Sequence, residues 1–375
     1  MKPLGLYIHI PFCRSKCRYC DFCSFPARDA ERMDAYVERL CRDLTEKAAL
    51  CREYTADTVY LGGGTPTILS AAQLSRVLGT VFRAYRVSPD CEITAECNPA
   101  TGSADLFREM RAAGFNRLSV GLQSAHREEL RALGRVHDFG GFLRTWEEAR
   151  EAGFDNLNVD VMFGIPYQTP ASFRETLERV CDLRPEHLSA YALTVEAGTP
   201  LERMLPKLPM PQEDDVAAMY LGMVDFLAER GLAQYEISNF AREGYQSRHN
   251  RKYWNTEEYL GFGPAAHSDF RGVRSGNARD LDGYLRGETI VCEENRPSPA
   301  ERENEYVMLR LRLCEGVDER AFAARFGHGP DVFFGRLSPY CGGGFAKRTE
   351  RGMALTPRGF LVSNAILADV VEFGG

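Results

Sequence analysis

The first two thirds of the sequence alternate between short apolar, strand-like runs and longer amphipathic, helix-like segments. Strands are predicted over residues 6–10, 58–61, 92–96, 117–122, 157–163 and 188–193, and helices over residues 29–50, 71–85, 104–113, 142–152 and 171–183. Such alternation favours right-handed βαβ crossovers and a parallel sheet. Six units are too few to close an eight-stranded barrel. We therefore predict an α/β fold built on an open, partial six-unit β/α barrel.

The last third of the chain changes in character. A further predicted helix (214–230) and strand (234–239) complete a core that we assign to residues 1–240. Residues 241–295, rich in Gly and Arg, are expected to form an irregular connecting region. A proline-containing linker then begins the segment 296–375. This segment is predicted to be a smaller, mainly helical, winged-helix-like C-terminal domain, with helices over 301–313, 319–326 and 358–371 and a hairpin over 344–355.

Composition and charge restrict the classes of function. The chain of 375 residues is 44% hydrophobic and 26% charged, as is typical of a globular protein. No apolar run approaches the roughly 20 residues that span a bilayer, and the N-terminal residues read as a strand rather than a signal peptide. We expect a cytoplasmic protein without an integral membrane segment. The net charge of −7 argues against nucleic-acid binding, which leaves DNA binding by a winged-helix-like module as a disfavoured hypothesis.

Three of the twelve cysteines lie close together directly after the first predicted strand. Cys13, Cys17 and Cys20 are separated by three and two residues. A 4Fe–4S cluster normally takes four cysteines, so three would leave one iron open to an external ligand. A structural zinc site typically uses two CxxC pairs, and no separate second pair occurs outside this loop. The triplet therefore predicts a 4Fe–4S cluster.

Two residues beside the triplet have alternative interpretations. Cys23 follows Cys20 by three residues and could be a fourth ligand, but it would then close the iron that the chemistry needs open. We therefore predict a free thiol at Cys23. His9 could reach the same loop, and we favour packing or a supporting hydrogen bond over direct ligation. The remaining cysteines are expected to be buried free thiols in a reducing compartment.

Further motifs, in order along the chain, resemble the HemN/HemW branch of the radical S-adenosylmethionine (SAM) superfamily. They are CxxxCxxC, GGGTPT at 62–67, ECNP at 96–99, SVGLQS at 119–124, LGRVH at 133–137 and DVMFGIPYQT at 160–169. The resemblance implies that the triplet binds the cluster and that SAM chelates the open iron. It also implies a set of SAM contacts, namely Tyr7, Tyr19, Gly63, Gly64, Thr65, Glu96, Gln123, Arg135 and Asp160. Taken singly, the glycines also fit a plain tight turn, and the polar residues fit ordinary strand ends.

The resemblance leaves two main functions open. One is oxygen-independent coproporphyrinogen III oxidation or another radical SAM modification of porphyrins, and the other is haem carriage by a chaperone. Two features favour the chaperone. The oxidase typically has a further cysteine where this chain has Phe22, and it carries a substantial segment before its first strand, whereas six residues precede Tyr7 here. Haem or a porphyrin, a haem-accepting protein and an electron donor are the implied partners.

A third feature, the HNxxYW motif at residues 249–254, matches the signature associated with the chaperone group. It implies that His249 is an axial haem ligand, with Tyr253 and Trp254 stacked on the macrocycle. The alternative is a packing corner, in which the histidine is hydrogen-bonded beneath two aromatic side chains. His267 is a second candidate ligand.

Overall fold

The computed structural model describes residues 1–288 and 290–372; residue 289 and residues 373–375, which belong to the second and third predicted segments, lie outside the described residues. The strands are β1 (Lys2–Ile10), β2 (Phe12–Cys13), β3 (Phe25–Pro26), β4 (Tyr54–Gly63), β5 (Val87–Cys97), β6 (Arg117–Gln123), β7 (Leu157–Phe163), β8 (His187–Ala192), β9 (Ala233–Gln234), β10 (Asn239–Ala241), β11 (Tyr259–Phe262), β12 (His267–Phe270), β13 (Val273–Asn277), β14 (Val291–Asn295), β15 (Val317–Asp318), β16 (Ala346–Arg348) and β17 (Gly352–Leu355). The helices are α1 (Ala30–Ala48), α2 (Ala71–Ala84), α3 (Ala104–Ala113), α4 (Arg127–Ala132), α5 (Phe139–Glu151), α6 (Pro170–Asp182), α7 (Pro200–Met204), α8 (Glu213–Glu229), α9 (Arg248–Trp254), α10 (Leu281–Leu285), α11 (Pro299–Arg310), α12 (Glu319–Phe326), α13 (Asp331–Leu337), α14 (Pro339–Gly342), α15 (Pro357–Leu361) and α16 (Ser363–Val370).

One long sheet organises the fold, in the order β14-β13-β12-β11-β1-β4-β5-β6-β7-β8-β10-β9. Strands β1, β4, β5, β6, β7 and β8 pair in parallel and in chain order. This confirms the predicted six-unit β/α core. Strand β1 pairs on its other side with β11, and β8 pairs with β10, so the two ends of the parallel sheet do not meet. The barrel is therefore open, as predicted.

Alternation along the strands separates a polar inner face from an apolar outer face. In β6, Leu118 and Val120 are fully buried in the hydrophobic core, whereas Ser119 and Gly121 line a cavity inside the barrel. Successive side chains of a strand point to opposite faces, so one strand can serve both purposes. Burial of each large apolar side chain contributes about 1.5–3 kcal/mol. The apolar face thus supports the fold, and the polar face supplies the cavity.

Local signals set the ends of the crossover helices. Helix α2 begins with a capping box in which the side chains of Ser70 and Gln73 each accept a hydrogen bond from the other's backbone N–H. Helix α6 begins with the same arrangement at Thr169 and Ser172. Helix α3 ends at Gly114, whose φ of 115° is in the region that favours glycine. These caps satisfy backbone groups that would otherwise lack partners.

The segment 241–295 differs from the prediction of an irregular region. Strand β11 pairs in parallel with β1, and β12, β13 and β14 continue the sheet in antiparallel order. Every residue of β14 is exposed, so this extension lacks the apolar alternation by which strands are recognised. The predicted strand 234–239 is likewise replaced by the two short strands β9 and β10.

The C-terminal segment combines helices α11–α16 with a small sheet in the order β15-β17-β16. This agrees with a mainly helical, winged-helix-like module, although the predicted helix 358–371 is interrupted at Val362 between α15 and α16. Backbone hydrogen bonds tie the module to the core, from the N–H of Ile237 to the carbonyl of Arg312 (2.9 Å) and from the N–H of Cys314 to the carbonyl of Tyr235 (3.0 Å). Within residues 1–288 and 290–372, no helix combines the length and apolar character needed to cross a bilayer.

Candidate functional site

A cavity of about 590 Å³ lies inside the barrel, bounded by the inner faces of β4–β8 and by the cysteine loop that follows β1. Pockets of roughly 300–1,000 Å³ typically bind small molecules. Most residues singled out from the sequence line this cavity, namely Cys13, Cys17, Tyr19, Cys20, Gly63, Gly64, Thr65, Glu96, Gln123, Arg135 and Asp160. Tyr7 and His249 are outside its lining. The structure thus brings together residues that are up to 147 positions apart because the carboxyl ends of parallel strands share one edge.

The cysteine loop presents three free thiols to this cavity. The backbone N–H of Cys20 donates to the carbonyl of Cys17 (3.2 Å), and the Sγ of Cys13 lies 3.5 Å from the Oγ1 of Thr65. Burial raises the pKa of the Cys13 and Cys20 thiols. Thiolates at these positions would therefore need a neighbouring positive charge, which coordinated metal supplies.

The donor set fits an iron–sulfur cluster better than a single ion. Among the described residues, no three His, Cys, Asp or Glu side chains converge closely enough to hold one metal ion. Each thiolate of a cluster binds a different iron, so three separated sulfurs around one cavity suit a 4Fe–4S cluster. Cys97 also borders the cavity, and its thiol donates to the carbonyl of Asn98 at 3.6 Å.

His9 connects Tyr7 with the chain beyond the triplet. Its Nε2 donates to the carbonyl of Cys23 (2.8 Å), which leaves Nδ1 to accept from the hydroxyl of Tyr7 (3.0 Å). Burial lowers the pKa of His9, in keeping with a neutral ring. His9 therefore supports the cysteine loop through hydrogen bonds, and Cys23 is buried outside the cavity lining. The assignment of Tyr7 as a SAM contact stays a prediction.

The glycine-rich turn after β4 packs directly on the cysteine loop. Gly63 has a φ of 104°, and a Cβ there would lie 2.3 Å from the His9 ring. A Cβ on Gly64 would lie 2.6 Å from the carbonyl oxygen of Phe12, which also accepts a hydrogen bond from the N–H of Thr65 (2.8 Å). Close backbone approach therefore requires both glycines.

Two half-buried carboxylates, Glu96 and Asp160, lie on the inner face of the barrel. Glu96 accepts hydrogen bonds from the hydroxyl of Tyr60 (2.9 Å) and from a backbone N–H of the glycine-rich turn (3.1 Å). Burial, together with the negative charge of Asp160, raises the pKa of Glu96 to about 7. Asp160 accepts from the hydroxyl of Ser119 (3.1 Å) and the amide of Asn158 (2.7 Å), and burial raises its pKa as well.

Arg135 supplies a cation next to the cysteine loop. Its guanidinium donates to the Sγ of Cys17 (3.4 Å) and to the carbonyl of Gly121 (2.5 Å). Gln123 lies at the end of β6 with a φ of 74°, where the register of β6 against β7 shifts by one residue. The bulge turns the end of β6 beside Arg135 and the cavity.

The geometry of His249 favours the packing-corner alternative, and the assignment of His249 as an axial haem ligand stays a prediction. The side chain is 1% exposed and packs beside Gly5 of β1 and Thr58 of β4. Its Nδ1 pairs with the Oγ1 of Thr58 (2.8 Å) and its Nε2 with the hydroxyl of Tyr253 (2.9 Å). Burial lowers the pKa of His249 to about 3. Because both ring nitrogens are engaged, the packing-corner alternative describes this histidine, with side chains as its partners.

The two aromatic residues of the HNxxYW motif also lie outside the cavity lining. The ring of Tyr253 stands edge-on to His249, and the indole Nε1 of Trp254 is buried without a hydrogen-bond partner. Neither aromatic side chain lines the cavity, so the structure shows no face for stacking on a macrocycle there. His267 is exposed at the start of β12, also outside the cavity lining.

Sequence reasoning missed several cavity residues. They are Tyr60, Arg117, Ser119, Asn158, Ser189, Tyr191 and Asn250. Most occupy inward positions of the parallel strands, and the polar residues that alternate with Val and Leu could have revealed them. Asn250 could not be found in this way because it lies on the short helix α9.

Comparisons with known proteins agree with this geometry. The model of the Radical SAM superfamily matches residues 7–180, and that of the HemN C-terminal domain matches residues 298–362. Heme chaperone HemW of Bacillus subtilis (strain 168) is 34% identical over 371 residues, covering 96% of this chain and 97% of that protein. The chain belongs to the HemW branch of the radical SAM superfamily.

Two other relatives extend this result. Heme chaperone HemW of Escherichia coli (strain K12) is 34% identical over 372 residues, covering 98% of each chain. The structure of the radical SAM enzyme coproporphyrinogen III oxidase (HemN) from Escherichia coli superposes with a TM-score of 0.86 at 25% identity, over 99% of this chain and 90% of that one. Membership of the radical SAM superfamily implies a 4Fe–4S cluster and SAM, and the three cavity thiols fit that implication.

Proposed function

We propose that this HemW-branch protein is a haem chaperone that binds haem and passes it to acceptor haemoproteins. The observation that carries the proposal is 34% identity along nearly the full length of relatives named heme chaperone, against 25% identity to the oxidase. A haem-accepting protein and an electron donor are the partners that this function requires.

At the cofactor site, the proposed cluster ligands are Cys13, Cys17 and Cys20. The proposed SAM contacts are Tyr7, Tyr19, Gly63, Gly64, Thr65, Glu96, Gln123, Arg135 and Asp160. When bound, the cluster would supply an open iron that SAM can chelate. It would also supply an electron that can cleave the sulfonium group of SAM. The half-buried carboxylates suit ribose hydroxyls or an ammonium group, and the Arg135 guanidinium suits a carboxylate. We further propose residues 1–240 as the radical SAM core, 241–295 as the connection that carries HNxxYW, and 296–375 as the C-terminal domain.

Phe22 supports a chaperone over an oxidase. It stands where the oxidase sequences carry a further cysteine, and its side chain is 66% exposed on the rim of the cavity. The thiol that distinguishes the oxidase pattern is thus replaced by an exposed aromatic ring. Cys23 does not compensate for it, because Cys23 is buried outside the cavity lining.

Two anaerobic assays on cluster-reconstituted protein test the proposal. In the first, coproporphyrinogen III is incubated with protein, SAM and a reductant, and we expect no protoporphyrinogen. In the second, the protein is loaded with radiolabelled haem and mixed with haem-depleted membranes, with haem-loaded serum albumin as the control for passive release. We expect transfer several-fold faster than from albumin. Turnover of coproporphyrinogen, or failure to retain haem on gel filtration, would contradict the proposal.

A further inference from the structure

Arg117 is a buried cation for which residues 1–288 and 290–372 supply no hydrogen-bond or ion-pair partner. Its side chain is 2% exposed and lines the barrel cavity, and its Nε is buried without a hydrogen bond. In the described part of the chain, no carboxylate oxygen lies within 4.0 Å of its guanidinium. Native proteins rarely leave a buried charge unpaired, since the desolvation of the charge is then uncompensated. We therefore expect the guanidinium of Arg117 to bind a ligand.

The nearby acids do not use the donors of Arg117. Burial raises the pKa of Glu96 and of Asp160, and the positive charge of Arg117 partly offsets that rise in both, so all three groups lie within electrostatic range of one another. Glu96, however, accepts from Tyr60, and Asp160 accepts from Asn158. The two acids compensate the charge at a distance and leave the five N–H donors of the guanidinium for another group.

Asn250 is a second polar group on the same cavity. Its backbone N–H donates to the N-cap Ser247 (3.3 Å), and the preceding N–H groups of α9 donate to the carboxylate of Glu92 (both 3.0 Å). The backbone position of Asn250 is thus held from two sides. Its side-chain amide makes no hydrogen bond to another described residue and lines the cavity beside the inner face of the sheet.

We propose that Arg117 and Asn250 form a carboxylate-binding subsite at the end of the cavity remote from the cysteine loop. A guanidinium fork matches the two oxygens of a carboxylate, and an amide N–H can add a further bond. Arg117 begins β6 and Gln123 ends it, a rise of about 20 Å along the strand. The subsite would thus take a carboxylate other than the one chelated at the cluster. Its source is the methionyl group of a second SAM or a propionate of haem.

The test compares ligands with and without the carboxylate, using the full-length, cluster-reconstituted protein under anaerobic conditions. The pairs are SAM with decarboxylated SAM, and haem with its dimethyl ester. Dissociation constants and stoichiometries are measured by equilibrium dialysis for the wild type and for Arg117→Gln. We expect the variant to bind at least one carboxylate ligand about tenfold more weakly, and to bind its carboxylate-free analogue with unchanged affinity. The pair that responds identifies the source.

Two further variants keep the test decisive. Asn250→Asp adds a negative charge and should weaken the same carboxylate ligand while sparing its analogue, and it decides the question if Arg117→Gln loses its cluster. Arg248→Gln is the matched control, because Arg248 lies beside His249 on α9 but pairs with Asp90 at the surface. Equal weakening of both members of each pair, or no weakening at all, would overturn the subsite. The haem pair rests on the proposed function, whereas the SAM pair does not. Failure of haem carriage would abolish haem binding in the wild type as well, whereas failure of the subsite would leave the wild type and Arg117→Gln alike.

Discussion

The guanidinium of Arg135 donates a hydrogen bond to the Sγ of Cys17 across 3.4 Å, and so connects the loop after β6 to the loop after β1. Charge and hydrogen bonds around the sulfur ligands tune the reduction potential of an iron–sulfur cluster. A fixed cation stabilises the reduced form, which carries one more negative charge. Arg135 is therefore placed to make the proposed cluster easier to reduce.

Replacement of Arg135 should lower the reduction potential of the proposed cluster. For Arg135→Gln we expect a shift of tens of millivolts to more negative values, because the hydrogen bond to Cys17 and the positive charge are both weakened or lost. Redox titration followed by electron paramagnetic resonance measures it. Arg127→Gln, at the exposed start of α4, is the control. An unchanged reduction potential in Arg135→Gln would show that Arg135 does not make the cluster easier to reduce.

Cysteine substitutions should distinguish the three proposed cluster ligands from Cys23. Alanine at Cys13, Cys17 or Cys20 should abolish cluster assembly, whereas Cys23→Ala should retain it, since Cys23 lies outside the cavity lining. Cluster assembly in each variant is measured as iron and acid-labile sulfide per chain after anaerobic reconstitution. Loss of the cluster in Cys23→Ala would instead make Cys23 a ligand.

His249→Ala should affect stability more than haem binding. The substitution leaves the Thr58 and Tyr253 hydroxyls without their shared partner, so we expect the free energy of unfolding to fall by about 2–4 kcal/mol. Denaturant titration measures it, and Tyr253→Phe, which removes one of the two hydrogen bonds, should cost about 1 kcal/mol. Haem affinity should stay within about twofold of wild type. A large loss of haem affinity at unchanged stability would restore the axial-ligand interpretation.

SAM binding should depend on pH through Glu96. Its pKa of about 7 means that the carboxyl becomes negative as the pH rises from about 6 to 8. Because SAM carries a sulfonium cation, the affinity of the protein for SAM should rise severalfold across this pH interval. Glu96→Gln should bind SAM more weakly at the upper end and flatten the profile. An identical pH profile in this variant would exclude Glu96 as the titrating group.

Glu236 should make stability fall as the pH rises. Burial raises its folded-state pKa to about 7, above the value of about 4.3 expected in the unfolded chain. The folded protein therefore binds more protons between these values. The stability that this group contributes is complete below about pH 4 and is lost as the pH rises through 7, by up to about 4 kcal/mol. Glu236→Gln should reduce this slope in thermal unfolding, whereas Glu229→Gln, at the exposed end of α8, should not.

Much of the fold could be predicted because its determinants are local. The bounds of β7 and α3 match the prediction, since each carries a complete apolar pattern and α3 ends at a glycine. The extension β11–β14 could not be predicted, because β11 is held by backbone pairing to β1, the following strands pair in turn with one another, and every residue of β14 is exposed. Strand pairing of this kind leaves no periodic signal in the sequence.

Sequence alone specifies the cysteine spacing, the order of the β/α units and the residues that the turns carry to the carboxyl edge of the sheet. These depend on short stretches of chain and on the handedness of βαβ crossovers. The fold was needed to show that both ring nitrogens of His249 are occupied and that Arg117 has no hydrogen-bond partner among the described residues. Burial and pairing of a side chain depend on which distant residues the fold places around it, and neighbours in sequence do not specify them.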